Sequence, residues 1–215
     1  MKEKRTKNLF VVAIVIIVTT CFIEYSYALF SETSESKPIV DSKMTFEEAI
    51  AGTQAPQELI DKLVLLDVEY YSTDKRLHAG QIVVHQDVAE DVKTIFQLIK
   101  ETRFPVAKAV PIVKYAWSDD ASMNNNNCSA FNYRFVAGTE RLSNHAFGKA
   151  VDINPRFNPV IYESGKISPK GAAYDPKREG TFHKDCPIYK KFIELGWRWG
   201  GDFISFKDYH HFDKK

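Results

Sequence analysis

The sequence lacks an excess of charge of either sign. Its 215 residues include 29 lysines and arginines against 28 aspartates and glutamates, which leaves a formal net charge of +1. A chain with this balance presents no basic field for nucleic acid and no acidic field for cationic partners. We therefore expect no nucleic-acid partner. The chain also has no internal repeat, and with 44% hydrophobic residues it is long enough for one folded domain with a short appendage.

Cysteine is scarce, with 3 residues in the chain. Cys128 and Cys186 follow the N-terminal segment, and an oxidising compartment could join them. The sequence does not show whether their sulfur atoms come within bridging distance. A disulfide and a pair of free thiols therefore both stay open.

The first 28 residues differ in composition from the rest of the chain. Four cations precede an apolar run at positions 9–23, and the tripeptide Ser26-Tyr27-Ala28 follows it. Small residues at the first and third positions of this tripeptide suit signal-peptidase cleavage after Ala28. The run is short for a membrane span, although the residues after it could extend it. We therefore expect residues 1–28 to be a signal peptide, or else a retained membrane anchor. Either segment would export the protein to the periplasm, the cell envelope or the exterior.

Residues 29–44 are predicted to form a flexible linker, because a composition rich in Ser, Glu and Lys cannot bury enough apolar surface to order itself. Thr45 and Glu48 then have the spacing of a capping box, so the folded domain is expected to cover residues 45–215. A helix is predicted from Asp87 to Thr102, with one apolar stripe at helical spacing. A second, shorter helix is predicted after a cap at Asp185 and before Gly196.

Four segments have the composition of strands, at positions 81–84, 109–113, 149–153 and 203–206. Together with helices early and late in the domain, they predict an α+β fold with a small, mainly antiparallel sheet flanked by helices. Two polar segments, 119–127 and 154–180, are predicted to be loops that form the walls of a substrate groove.

An imidazole and a carboxylate lie seven residues apart in the segment 142–155, at His145 and Asp152. In a strand through 149–153, Asp152 would face a cleft while its neighbours Val151 and Ile153 pack behind it. A zinc ion would give this carboxylate a strong partner, with His145 supplied by the turn before the strand. A third ligand could come from His210 or His211, but adjacent residues of an extended chain point in opposite directions, so only one of them is expected to bind.

These motifs resemble those of the VanY-like D-alanyl-D-alanine carboxypeptidases, zinc peptidases that trim peptidoglycan stem peptides. The resemblance runs from about residue 78 to residue 212, and its main carriers are Ser143-x-His145-x-x-Gly148-x-Ala150-x-Asp152 and Asp208-x-x-His211-Phe212-Asp213. Segments 122–134 and 196–202 agree with it. The sequence departs from the family pattern at Cys128, where threonine is usual, and at Asp213, where glutamate is frequent. Neither departure is expected to touch a ligand.

The resemblance implies the fold shared by hedgehog domains and D-alanyl-D-alanine peptidases, with one zinc ion per chain in a cleft. It selects His211 as the third ligand. His210 is then either a groove residue or a solvated residue, and the solvated position is favoured. Asp208 lies three residues before His211 and is expected to act as general base and acid, provided that a turn or bulge brings the two to one side.

Substrate contacts are expected from three further residues. Arg134 would hold the oxyanion or a substrate carboxylate, because its planar fork makes two charge-assisted bonds. A surface ion pair is the alternative for Arg134, and Arg141 is a weaker candidate for the same role. Ser129 and Ser143 are expected to hydrogen-bond the substrate or a ligand carboxylate, unless they are only turn residues.

Three functions remain open at this point besides the carboxypeptidase. An endopeptidase that cuts L-alanyl-D-glutamate is possible on the same scaffold, since bond choice depends on loop shape. A non-catalytic, hedgehog-like zinc-containing binding module would keep the metal without turnover. A membrane-anchored structural protein without metal would leave Asp152 and the late histidines unexplained.

Overall fold

The protein is described here by a computed structural model of residues 37–215. The predicted signal peptide or anchor and the first part of the predicted linker lie outside the described residues. The α-helices are α1 (Phe46–Ile50), α2 (Gln57–Ile60), α3 (Ala89–Thr102), α4 (Asp119–Asn124) and α5 (Pro187–Glu194). The strands are β1 (Ile39–Val40), β2 (Leu63–Tyr71), β3 (Leu77–His85), β4 (Lys108–Ala109), β5 (Asn127–Cys128), β6 (Ala150–Asp152), β7 (Val160–Tyr162), β8 (Ile167–Ser168), β9 (Arg198–Trp199), β10 (Phe206–Asp208) and β11 (His211–Asp213).

The strands of residues 37–215 are divided among four small sheets, with the orders β1-β3-β2, β10-β7-β8, β6-β11-β9 and β4-β5. Pairing is antiparallel except for β1 with β3 and β4 with β5. The predicted α+β class with mainly antiparallel pairing is therefore confirmed, although several sheets replace the single one expected. No helix among residues 37–215 has the length and apolar content to cross a membrane.

Helix α3 packs one apolar face on the β2–β3 hairpin. Its buried residues include Val92, Ile95, Phe96 and Ile99, the i, i+3, i+4, i+7 spacing that the sequence shows. Each such side chain contributes about 1.5–3 kcal/mol when fully buried, which accounts for the stability of this layer. The helix begins after a short 3-10 turn and ends where Arg103 adopts a left-handed conformation. The predicted helix is confirmed, whereas β2, its neighbour, was not predicted.

The start of the folded domain lies earlier than predicted. The capping box is present, with Glu48 N donating to Thr45 Oγ1 and Thr45 N donating to a Glu48 carboxylate oxygen. However, β1 already pairs with β3, and Ser42 Oγ donates to Gln81 Oε1 over 2.9 Å. The linker prediction is therefore wrong for residues 38–44. These polar side chains are ordered by partners about 40 positions away, which a composition argument cannot detect.

Several local predictions need correction. The predicted strand at 109–113 stops at Ala109 and gives way to a 3-10 turn, and the strand expected at 203–206 is instead β10. The polar segment 119–127 is largely helix α4, capped by Ser118, and not a loop. Helix α5 is entered through Cys186 with proline in its first turn, so Asp185 is not its cap, while Gly196 does adopt a left-handed conformation after it.

The sheet β6-β11-β9 positions the functional residues. Its register places His211 opposite Asp152 and Phe212 opposite Val151. Phe212 is fully buried and stacks on Phe192 with ring centroids 3.9 Å apart. Because side chains alternate along a strand, this packing behind the sheet turns His211 and Asp152 to the opposite face.

Cys128 and Cys186 are both buried free thiols. Burial raises the pKa of Cys128 to about 12, so this thiol is not a reactive nucleophile. Of the two alternatives left open by the sequence, the structure has the unpaired thiols.

Candidate metal centre

Three side chains converge as the sequence predicted. His145 Nε2 lies 3.2 Å from Asp152 Oδ2 and 3.1 Å from His211 Nδ1, and His211 Nδ1 lies 3.0 Å from Asp152 Oδ1. Two imidazole nitrogens and one carboxylate oxygen within 4.8 Å of one another form a donor set of the kind that binds zinc. These separations are also those of hydrogen bonds between the groups, and one metal ion among the donors would satisfy all three. The residues therefore fit a zinc ion.

His145 is aimed by its own short turn. It lies in the 3-10 turn Asn144–Phe147, where Ser143 Oγ accepts from His145 N, and the turn ends at Gly148 with a φ of 67°. A Cβ at Gly148 would come within 2.6 Å of His85 N, so glycine is needed there. His145 Nδ1 donates to the carbonyl of Ala130 over 2.6 Å, which leaves Nε2 for the metal.

Asp152 is a buried carboxylate at the end of β6, with 2% of its surface exposed. Its backbone pairs with Ser129 through hydrogen bonds of 2.8 and 3.1 Å. Burial raises the pKa of Asp152, but the imidazoles of His145 and His210 outweigh burial and hold the pKa well below its ordinary value. The carboxylate is thus kept ionised, as a metal ligand requires.

His211 is oriented by the carboxylate of Asp213, which was expected to touch no ligand. Its Nδ1 faces the other ligands, while its Nε2 lies 3.5 Å from Asp213 Oδ2. Asp213 in turn accepts from Arg198 Nε and Nη2, at 2.8 and 2.7 Å, and from Asn144 over 2.6 Å. The expectation that Asp213 would not touch a ligand is therefore wrong. This chain of contacts fixes the ring of His211 in the way carboxylates fix metal-binding histidines.

Both His211 and Asp213 have shifted pKa values. Burial lowers the pKa of His211, but its hydrogen bonds to Asp152 and Asp213 outweigh burial and raise the pKa to about 10. Burial raises the pKa of Asp213, but the hydrogen bonds from His211 and Arg198 lower it to about 2. The pair is an imidazolium beside a carboxylate when no metal is bound.

Asp208 meets the geometric condition set for a general base. A turn at residues 209–210 separates β10 from β11 and brings Asp208 and His211 into the lining of one cleft. Burial raises the pKa of Asp208, although His210 and His211 oppose this shift. A carboxyl group with a raised pKa is a better proton acceptor near neutral pH than an exposed aspartate.

Arg134 forms the ion pair that was the alternative prediction for it, and it also lines the cleft. Its Nη2 forms an ion pair of 2.9 Å with Asp119 Oδ2, at partial exposure of both side chains. The same side chain lines the cleft, and its Nε is buried without a hydrogen-bond partner among residues 37–215. Arg141 and Ser143 line the cleft as well, whereas Ser129 contributes its backbone pairing to Asp152. The arginine is thus held at the cleft by Asp119 with donors still to be satisfied.

The cleft has a volume of about 550 Å³. Both segments predicted to form its walls contribute: Asp119, Asp120 and Met123 from one, and Val160, Tyr162 and Ser168 from the other. The roles of Asp213 and Arg198 were not predicted from the sequence. A signal was present, since an acid directly follows Phe212 in the ligand motif and would lie two positions from His211 on the same strand face.

The cleft also contains His210, for which a solvated position was favoured over a position in the groove. That prediction is wrong, because His210 is 2% exposed and lines the cleft beside Asp208.

Comparison with known proteins agrees with the geometry. Residues 137–214 match the family model described as D-alanyl-D-alanine carboxypeptidase, and this segment includes the three candidate ligands and Asp208. None of the curated proteins and none of the solved structures gives a significant match. The resemblance seen in the motifs is confirmed by this match. Over residues 137–214 the chain is therefore similar to the D-alanyl-D-alanine carboxypeptidase family of peptidases.

Proposed function

We propose that the protein is a zinc peptidase that hydrolyses an amide bond in peptidoglycan stem peptides. The observation that carries the proposal is the convergence of His145, Asp152 and His211 beside Asp208 in one cleft, within the segment that matches the peptidase family. His145, Asp152 and His211 would hold the ion. When bound, zinc supplies a Lewis acid that lowers the pKa of water and polarises the substrate carbonyl.

The residues of the chain supply the remaining chemistry. Asp208 takes a proton from the attacking water and passes it to the leaving amine. Arg134 holds the developing oxyanion or a substrate carboxylate, with its orientation maintained by Asp119. Ser143 borders the same cleft and offers a hydroxyl to the substrate. Release of a terminal D-alanine is the first choice of reaction, because Arg134 and Arg141 give the cleft cations that suit a free carboxylate.

An endopeptidase that cuts L-alanyl-D-glutamate is the second candidate. It is favoured by the extent of the cleft lining, which includes both predicted wall segments and the β10 region and so offers contacts to a substrate longer than a terminal dipeptide. A non-catalytic zinc module is less well supported, because such a module has no use for a carboxyl group of raised pKa beside the ligands.

Digestion of defined muropeptides, followed by mass measurement of the products, tests the proposal and separates the two reactions. Loss of one alanine from a pentapeptide stem supports the carboxypeptidase, and cleavage between the first two residues supports the endopeptidase. The Asp208→Ala variant serves as the control for contaminating activity. Absence of any product with zinc-loaded wild-type protein would overturn the peptidase proposal.

Export of the protein is part of the proposal, since its substrate lies outside the cytoplasm. The support is the composition of residues 1–28, with cations, an apolar run and small residues at 26 and 28. N-terminal sequencing of the mature protein is expected to find a start at Leu29. An intact segment in the membrane fraction would instead identify an anchor.

A further inference from the structure

His210 is a buried histidine that belongs neither to the candidate ligands nor to the proposed proton transfer. Its Nε2 lies 3.1 Å from Asp208 Oδ1 and 3.8 Å from Asp152 Oδ2, while its Nδ1 lies 2.7 Å from the carbonyl oxygen of Asn158. The distance to Asp152 is too long for a hydrogen bond, so the close carboxyl contact of His210 is with Asp208.

We propose that His210 is a positioning residue that holds the carboxyl group of Asp208 in the orientation needed for proton transfer. The inference rests on the proposed function, because it assigns a task to a neighbour of the proposed general base. The role differs from ligation, since His210 lies outside the group of three residues whose donors meet within 4.8 Å.

The ring of His210 is held by a second contact, to the backbone carbonyl of Asn158. A carbonyl oxygen can only accept, so His210 Nδ1 donates to Asn158 and presents Nε2 to Asp208. Asn158 is itself fully buried and rigidly held, with its Nδ2 donating to Gly180 O over 2.9 Å and its Oδ1 accepting from Phe182 N over 2.7 Å. The backbone of His210 is tied as well, because Ile153 N donates to His210 O. The ring is therefore anchored independently of Asp208.

The carboxyl group of Asp208 needs such a partner. Its Oδ1 is buried and makes no well-aligned hydrogen bond among residues 37–215, although His210 Nε2 lies within hydrogen-bond distance. Catalytic hydrogen bonds often align only when substrate is present. A contact between Nε2 and Oδ1 would stop rotation of the carboxyl group and leave its other oxygen to face the water. This bond can form whichever of the two atoms carries the proton, so the proposal does not depend on a titration.

Two variants of His210 test the assignment. His210→Leu removes the contact, and His210→Gln can place an amide nitrogen near the position of Nε2. With zinc content and melting temperature unchanged, we expect His210→Leu to lower kcat on a muropeptide by roughly tenfold to a hundredfold at constant KM, because general-base catalysis is worth about 10²–10⁴-fold in total. His210→Gln is expected to recover part of this loss. The matched control is His85→Gln at a buried histidine that ends β3 and is not part of the cleft lining, and this variant should keep full activity.

The Asp208→Glu background separates positioning from a general structural effect, because it keeps a carboxyl group, and with it some base catalysis, but moves that group away from its contact with His210. If His210 acts through the position of the Asp208 carboxyl group, adding His210→Leu to Asp208→Glu causes little further loss of the remaining rate. A further loss of the same size in both backgrounds would overturn the proposal. Loss of zinc in His210→Leu with intact folding would also overturn it, since that outcome makes His210 part of the metal site.

A spectroscopic measurement distinguishes failure of this inference from failure of the proposed function. In ¹⁵N spectra of the zinc-loaded protein, the Nδ1 of His210 should be protonated, and the Nε2 signal should shift in Asp208→Asn. An unshifted signal would refute the contact even in an active enzyme. A shifted signal in a protein that cleaves no muropeptide would retain the contact and refute the peptidase proposal alone.

Discussion

Replacement of Asp213 by asparagine is expected to weaken zinc binding without removing a ligand. The Asp213 carboxylate accepts from Arg198 and Asn144 and faces His211 Nε2, so it both orients the ring and balances its charge. Asparagine keeps the size of the side chain and one acceptor oxygen, but it removes the negative charge. His211 then becomes a poorer and less well oriented donor.

The size of the effect follows from the contact distances. Loss of a carboxylate behind a metal-bound histidine typically costs about 10–100-fold in metal affinity, or about 1.4–2.7 kcal/mol. The Nε2–Oδ2 distance between His211 and Asp213 is 3.5 Å, longer than a charge-assisted hydrogen bond. We therefore expect a loss near the lower end, about tenfold.

Competition with a zinc chelator at pH 7.5 measures the affinity of both proteins. The matched control is Asp91→Asn, because Asp91 is also partly buried, pairs with Lys214 over 2.6 Å and accepts from Trp197 Nε1. Both variants lose an ion pair and some stability, but Asp91 contacts no candidate ligand in the structure. The control should keep the zinc affinity of the wild type. Equal affinity in Asp213→Asn and wild type, or an equal loss in both variants, would refute the reasoning.

Three further predictions concern the cleft. Asp208→Ala should keep zinc, measured by elemental analysis, and abolish turnover, because the variant loses the proposed base and none of the candidate ligands. Arg134→Lys should lower kcat/KM by about a hundredfold or more if it holds an oxyanion, whereas Asp119→Asn should have a smaller effect. Zinc binding at pH 8 should release about one proton from His211, whose pKa of about 10 keeps it protonated without metal, and calorimetry in buffers of different ionisation enthalpy measures this release.

Protonation of His211 makes both the stability of the metal-free protein and its zinc affinity depend on pH. The pKa of His211 is raised in the folded, metal-free protein, so its ion pairs contribute stability below an unfolded pKa of about 6.5, and that contribution is lost as pH rises toward 10. Metal competes with the same proton, so zinc affinity falls as pH is lowered. A zinc affinity that does not change between pH 8 and pH 6 would contradict the assignment of His211 as a ligand.

Features that depend on neighbouring residues could be predicted from the sequence. The stripe of α3 and the capping box at Thr45 follow from spacings of three and four residues, and both are present in the structure. The grouping of His145 with Asp152 also has a local origin, since one turn and one short strand join them. The pairing of this group with the distant residues Asp208 and His211 does not follow from spacing. It was predicted from the resemblance to the peptidase family, whose model matches residues 137–214.

Features that depend on distant partners were decided only by the tertiary structure. Residues 38–44 are ordered because β1 pairs with β3. His210 can be buried because its Nδ1 has a hydrogen-bond partner in the carbonyl of Asn158, 52 positions away in the sequence. Asp213 is close to His211 in sequence, but its role depends on Arg198 and Asn144, which other elements bring to it. A polar residue has the same composition whether it is solvated or buried with a partner. Only the fold supplies the partner, and with it the difference between a surface histidine and one that faces the candidate general base.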